Sequence, residues 1–326
     1  MGGMIIQRMN TMTLPSSAPE TRLAPLHGVA ALSHLGVIKI VGDDAAKFIH
    51  SQLTQDFSLL DMQSARLAAF CTAKGRIQAS FIGFKRSATE ILLVCSLDIL
   101  PPTLKRLSMF VMRAKAKLTD ATAEFTLYGL LGDAILPLPD ASTEAWAKAD
   151  FGEVTVVNMY PADGVLRQLW VAPTDTTAPA GEMLSLAQWQ WTEVRSAVAT
   201  IAAPVVEAFV PQMLNYESVG GVNFKKGCYP GQEIVARSQF RGTLKRRAFV
   251  VHADAPMAAG QEAFSATDSE QPVATVVQAA AAPQGGYDAI ISVQLAAINS
   301  GSIHLGSSTG AQLQLLPLPY NLLDDI

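Results

Sequence analysis

Within eight residues, Lys226-Gly227-Cys228-Tyr229-Pro230-Gly231-Gln232-Glu233, the chain sets a thiol between two glycines, next to a lysine and just ahead of a carboxylate. The thiolate, not the thiol, is the nucleophile and ligand, and a nearby ammonium or helix N-terminus lowers a cysteine pKa from about 8.5. Lys226 is such an ammonium, and Gln232 to Arg237 can open a helix, so Cys228 is expected to be more acidic than a free thiol. Glu233 opposes this if its carboxylate faces the sulfur. Pro230-Gly231 suits the two central positions of a type II turn, where Pro fixes φ and Gly accepts a positive φ. On these residues alone two readings stand. Cys228 is a reactive or ligating thiolate on a rigid loop, or it is a small residue filling a tight turn that Tyr229 anchors.

Basic residues crowd the same region. Lys225, Lys226, Arg237, Arg241, Lys245, Arg246 and Arg247 face a single acid, Glu233. Such a cluster suits phosphate, polycarboxylate or an RNA backbone, or is simply a solvated face. Upstream, Trp189 and Trp191 lie two apart on an expected helix and point to different faces, with Glu193 and Arg195 beside them. One indole could stack on a flat ring; core packing is the alternative. The five histidines form no metal-ligand spacing, and no metal site is expected. Gly306-Ser307-Ser308-Thr309-Gly310 spells a nucleophile elbow but has no histidine after it and lacks the strand–turn–helix setting.

The elements that must hold these residues belong to a chain of 326 residues, 49% hydrophobic and with net charge −4, which excludes a global attraction to nucleic acid or anionic membrane. Three cysteines without a CxxC argue for a reducing compartment rather than a disulfide framework. Residues 1–25 lack the apolar core of a signal peptide, and no apolar run reaches the length of a membrane span. A mobile N-terminal tail and a cytoplasmic protein are therefore expected. Residues 36–41, 65–71, 76–84, 91–94, 124–130, 154–159 and 168–171 read as strands, and helices are expected over 45–56, 103–112 and 182–198. The order predicts an α+β region over 26–240 built of ferredoxin-like units, one interleaved with another. From 241 to 326 strand-like runs at 248–252, 274–277, 287–293 and 311–316, without a convincing helix, predict a small β-barrel.

The motif from Lys226 through Arg237 resembles the signature of the YgfZ family of folate-binding proteins. Phe48-Ile49-His50-Ser51-Gln52-Leu53-Thr54-Gln55-Asp56, Lys74-Gly75-Arg76, Phe209 to Asn215 and Gly220 to Phe224 are similar to it as well. The resemblance runs from about Leu26 to Arg247. It implies the fold of the glycine-cleavage T-protein: interleaved α+β units around a central folate site, then a small β-barrel. It further implies binding of tetrahydrofolate, support for assembly or repair of Fe–S enzymes including tRNA-modifying ones, and a functional thiol at Cys228. Lys226, Gly227, Tyr229, Gly231, Gln232 and Glu233 complete that motif. Trp189, Glu193, Arg237 and Arg241 are the expected contacts to the cofactor, the arginines toward the glutamate tail. The thiol step stays open among transient ligation, redox exchange and one-carbon capture. Gln78 and Ala79 stand where the T-protein pattern has paired aspartates, which argues against its aminomethyl transfer. The matching helix acid falls on Ala197, for which Glu193 could substitute. A folate-dependent one-carbon transferase or demethylase, and an RNA-binding module built on Arg237–Arg247, remain alternative readings.

Overall fold

A computed structural model describes residues 26–139, 142–240 and 244–323. The expected tail over 1–25 lies outside the described residues, as does Arg241.

The chain builds two five-stranded sheets and a closed barrel. Strand β1 (Gly28–Ala31) enters the first sheet. The chain then leaves to form the whole second sheet from β2 (Leu35–Val41), β3 (Ala65–Cys71), β4 (Ile77–Lys85), β5 (Glu90–Ser96) and β6 (Lys117–Asp120). It returns with β7 (Phe125–Leu131), β8 (Lys148–Phe151), β9 (Val154–Ala162) and β10 (Val165–Pro173), giving the order β1-β7-β10-β9-β8. The second sheet runs β3-β4-β5-β2-β6. Without its edge strand β3 this is the antiparallel order of a ferredoxin-like unit, its crossovers carrying α1 (Ala45–His50) and α2 (Leu100–Ser108).

Apolar alternation explains how the layers meet. Leu127 and Leu131 of β7, Val157 of β9 and Leu169 of β10 pack against Val37 of β2 and Leu92 and Val94 of β5. The other face of the second sheet buries Phe70 and Phe81 beneath Phe48, Ile49 and Leu53 and continues to Val250 and Ile290 of the barrel. The barrel closes through β11 (Arg246–Ala253), β14 (Tyr287–Gln294), β13 (Asp268–Ala281), β12 (Glu262–Ser265), β15 (Ile303–Leu305) and β16 (Gln312–Leu316).

Several elements differ from the sequence expectation. The helix expected from 182 is α3 (Leu186–Arg195): Ser185 caps it, its hydroxyl accepting from Gln188 N–H while Gln188 Oε1 accepts from Ser185 N–H. It stops at Ser196, because Ala197 turns left-handed at φ +55°. Helix α1 ends at His50, and Leu53 instead bridges to Phe70 of β3. The alanines at 279–281 lie in β13, and a short helix, α5 (Leu295–Ser300), sits among the barrel strands.

The basic cluster is dispersed by folding. Arg247 is buried and donates to Glu217, also buried, and to Leu323 O at 2.8 Å. Arg246 donates to the carbonyls of Ser292 and Pro272. These two arginines are barrel fastenings, not part of an exposed RNA face. Removing one partner of a buried ion pair leaves an uncompensated charge and costs about 3–5 kcal/mol. Glu217→Ala is therefore expected to lower the unfolding free energy by about that amount, read as a lower urea midpoint.

Candidate functional site

Three segments far apart in sequence converge on the thiol loop. Thr54 Oγ1 donates to Gly221 O at 2.6 Å and accepts from Ala69 N–H at 2.8 Å, while Asn223 N–H donates to Thr54 O at 2.9 Å. Gln55 Nε2 donates to Gly220 O at 2.7 Å. The segment after α1 is thus stitched to the segment that leads into Lys226. The third piece is the hairpin between β3 and β4, closed by Thr72 N–H to Arg76 O at 2.8 Å.

Pro230-Gly231 forms the expected turn, with Gln232 N–H donating to Tyr229 O at 3.2 Å and Gly231 at φ +80°. Helix α4 (Gln232–Phe240) follows at once. Gly231 is required twice over: a Cβ there would lie 2.4 Å from Thr72 O and 2.7 Å from Gly75 Cα. The hairpin and the thiol loop therefore touch through two glycines. Tyr229 is buried, and burial pushes its hydroxyl pKa up.

Lys226 does not lie free beside the sulfur. Its Nζ reaches back to α1, donating to His50 O and, at 2.6 Å, to Leu53 O, and sits 4.7 Å from the Tyr229 ring centroid. A cation at the end of a helix satisfies carbonyls that have no intrahelical donor. Burial pulls this ammonium down to about 8, with Asp56 and Cys228 acting in the opposite sense. Cys228 is exposed, whereas Cys71 and Cys95 are buried and their thiols are pushed up to about 12 by that burial. Glu233, Lys225 and Arg237 are exposed.

A second constellation lies between the sheets. A partly enclosed cavity of about 40 Å³ is lined by Ser80, Cys95, Trp146, Tyr160, Arg167 and Glu193, among others, and by no residue of the thiol loop. Glu193 is buried; its Oε1 accepts from Trp189 Nε1 at 2.8 Å and meets His34 Nε2 at 3.1 Å, and its Oε2 accepts from Gln278 Nε2 at 3.0 Å. Burial pushes its carboxyl up, but His34, Arg167 and Trp189 together hold it below the usual range. Arg167 lies 4.4 Å over the Trp189 ring; burial lowers it to about 10 against the pull of Glu193. Its Nε and Nη2 are buried without a hydrogen-bond partner, the mark of a site that wants an acceptor.

Trp189 corrects the sequence expectation. Its ring is fully buried, packs on Gly129 and carries the Arg167 guanidinium, so it has no open face for a cofactor. Trp191 is also interior, donating to Asp288 Oδ2 at 2.8 Å, and Arg195 is held by Asp163. Ala79 is buried and Gln78 donates to Glu207 Oε1 at 2.7 Å, so neither supplies a carboxyl group. Arg167 was missed by sequence reasoning. The signal was there: Val165, Arg167, Leu169 and Val171 share one strand face, which places an arginine among interior positions.

These features define a T-protein-like fold carrying an exposed thiol on a clamped loop. The fold matches the glycine cleavage system aminomethyltransferase T from Bartonella henselae with TM-score 0.66 and 15% identity, covering 91% of this chain and 87% of that one. In sequence the chain is similar to tRNA-modifying protein YgfZ of Edwardsiella ictaluri, 29% identical over 93% of this chain and 96% of that protein. It is likewise similar to the proteins of that name from Colwellia psychrerythraea (28% identity, 74% and 76% covered) and Serratia proteamaculans (25%, 90% and 93%). No protein-family model matches the chain. The resemblance to the YgfZ family carried by the motif thus extends into the C-terminal barrel.

Two outcomes are expected. Gly231→Ala forces a left-handed alanine into Thr72 and costs about 1–3 kcal/mol, read as a lower thermal midpoint. Lys226 carries the pH signature: its folded pKa lies below the ordinary lysine value of about 10.4, so between about 8 and 10.4 the unfolded chain binds more protons and this residue's contribution to stability rises with pH. Urea titrations at successive pH values across that window should show the wild type gaining on Lys226→Met as pH increases.

Proposed function

We propose that this chain is a tetrahydrofolate-binding accessory protein related to tRNA modification, supporting the assembly or repair of Fe–S enzymes through the thiol of Cys228. The observation that carries the thiol half is the contrast among the cysteines: two are buried and raised, while Cys228 is exposed on a loop held at both ends. An accidental turn filler needs neither the buried lysine anchor nor the glycine contact. The names of the relatives support the link to tRNA modification.

The folate half rests on the cavity between the sheets. Arg167, with its two unpartnered donor nitrogens, would take acceptor atoms of the pterin, and Glu193 and Tyr160 would flank it. Bound there, tetrahydrofolate would supply one-carbon carrier chemistry. A cavity of about 40 Å³ is narrow for a bicyclic ring, so binding would widen it. An outer groove of about 640 Å³ shares the Trp146 wall with it and offers the route in. Of the two arginines expected at the glutamate tail, Arg237 lies among the described residues and is exposed. Localisation in the cytoplasm is part of the proposal; no helix among the described residues is long and apolar enough to cross a membrane.

Titration with tetrahydrofolate should quench tryptophan fluorescence, Trp146 being at the cavity wall, and Arg167→Leu should weaken binding about tenfold or more, the loss expected for a charged hydrogen bond. Absence of quenching at near-millimolar ligand would remove the folate half. Separately, Cys228→Ser is expected not to restore Fe–S enzyme activity in a deletion strain; full restoration would remove the thiol half.

A further inference from the structure

His50 ends α1 with its ring turned toward the thiol loop. Its Nδ1 lies 3.0 Å from Asp56 Oδ1, which also accepts from Leu59 N–H at 2.9 Å and Ser58 Oγ at 2.8 Å. Burial works against the Asp56 carboxylate, yet Leu59, Ser58 and His50 keep it ionised below the usual range. A carboxylate against Nδ1 holds the proton on that nitrogen and leaves Nε2 as an acceptor. Nε2 faces Gly227: a Cβ built there would lie 3.5 Å from it. Adjacent Cα atoms are about 3.8 Å apart, so Cys228, whose side chain is exposed, is the next residue along the loop from this contact. The Lys226 Nζ bond to His50 O fixes the loop against the helix end that carries the ring.

We propose that His50, oriented by Asp56, accepts the proton of the Cys228 thiol, so that the loop presents a thiolate paired with an imidazolium. The S–H bond breaks and an Nε2–H bond forms; the step is proton transfer alone and needs no oxidant or co-reactant. His50 meets the reacting atom, and Asp56 is a positioning residue. The inference rests on the reading of Cys228 as the functional thiol. Other charged residues on the loop and the elements beside it are Lys225 and Lys226 of the loop, Glu233 and Arg237 of α4, Lys74 and Arg76 of the β3–β4 hairpin, and Lys47 of α1. All of these persist in a His50 variant, so a difference between the two proteins reports the imidazole.

The test is the pH profile of iodoacetamide alkylation on the full chain, with Cys228→Ser as the blank; Cys71 and Cys95 are buried and contribute little. Wild type is expected to react with an inflection near or below pH 7. His50→Gln should react about tenfold more slowly at pH 7 and inflect at about 8.5, the free-thiol value. Asp56→Asn should fall between the two. A wild-type inflection at about 8.5, or a His50→Gln profile that superimposes on wild type, overturns the proposal; the first arm decides even if His50→Gln does not fold. Because alkylation reads proton transfer and the deletion-strain assay reads function, the two readings fail separately.

Discussion

The buried ammonium of Lys226 is the contact on which the site depends. It takes the carbonyl of His50, which the end of a short helix leaves without a donor, and that of Leu53 just beyond, and in doing so ties the thiol loop to a segment more than 170 residues earlier. An ammonium in partly apolar surroundings is costly unless its protons are placed. Here they are placed on backbone oxygen, so separating the loop from the helix end breaks two charge-assisted hydrogen bonds. The glycine contact between Gly231 and Gly75 then sets the other end of the loop. Cys228 is thus held by its neighbours while its own side chain remains in solvent.

The second organising constraint is the charge balance between the sheets. Glu193 and Arg167 are both buried, but unequally satisfied. The carboxylate is met by His34, Trp189 and Gln278; the guanidinium keeps two nitrogens without partners. An interior that satisfies one of two buried opposite charges and leaves the other incomplete stores binding capacity at the incomplete one. Trp189 serves this arrangement as a packed indole beneath the arginine, which is why it is no platform for a ligand. The thiol loop and this cavity share no lining residue, so chemistry linking them has to travel through a bound molecule long enough to reach both, or through a partner.

Most long elements were legible because their patterns are local. The strand at 65–71 was placed at its observed ends, and the turn at Pro230-Gly231 followed from φ restrictions that need no tertiary context. Strands of three or four residues, β1, β6, β8, β12 and β15, escaped because so short a run shows no alternation to distinguish it from loop. The overlong helix at 182–198 escaped for another reason: propensity continues past Ser196, and only the left-handed Ala197, whose carbonyl accepts from Tyr320 Oη at 2.8 Å, stops it.

The amino-acid order by itself determined the thiol motif, its turn, the α+β region and the strand-rich C-terminal part, because each is a property of neighbours along the chain. Tertiary structure alone decided which charges are free. A row of basic residues after the motif looks uniform as text, yet folding buries Lys226 and Arg247 against oxygen acceptors from distant segments and leaves Arg237 and Lys245 in water. It also decided that Trp189 is core and that His50 and Asp56 stand beside the thiol loop. Burial and partnership are set by what crosses a residue in space, and no spacing along one dimension carries that information.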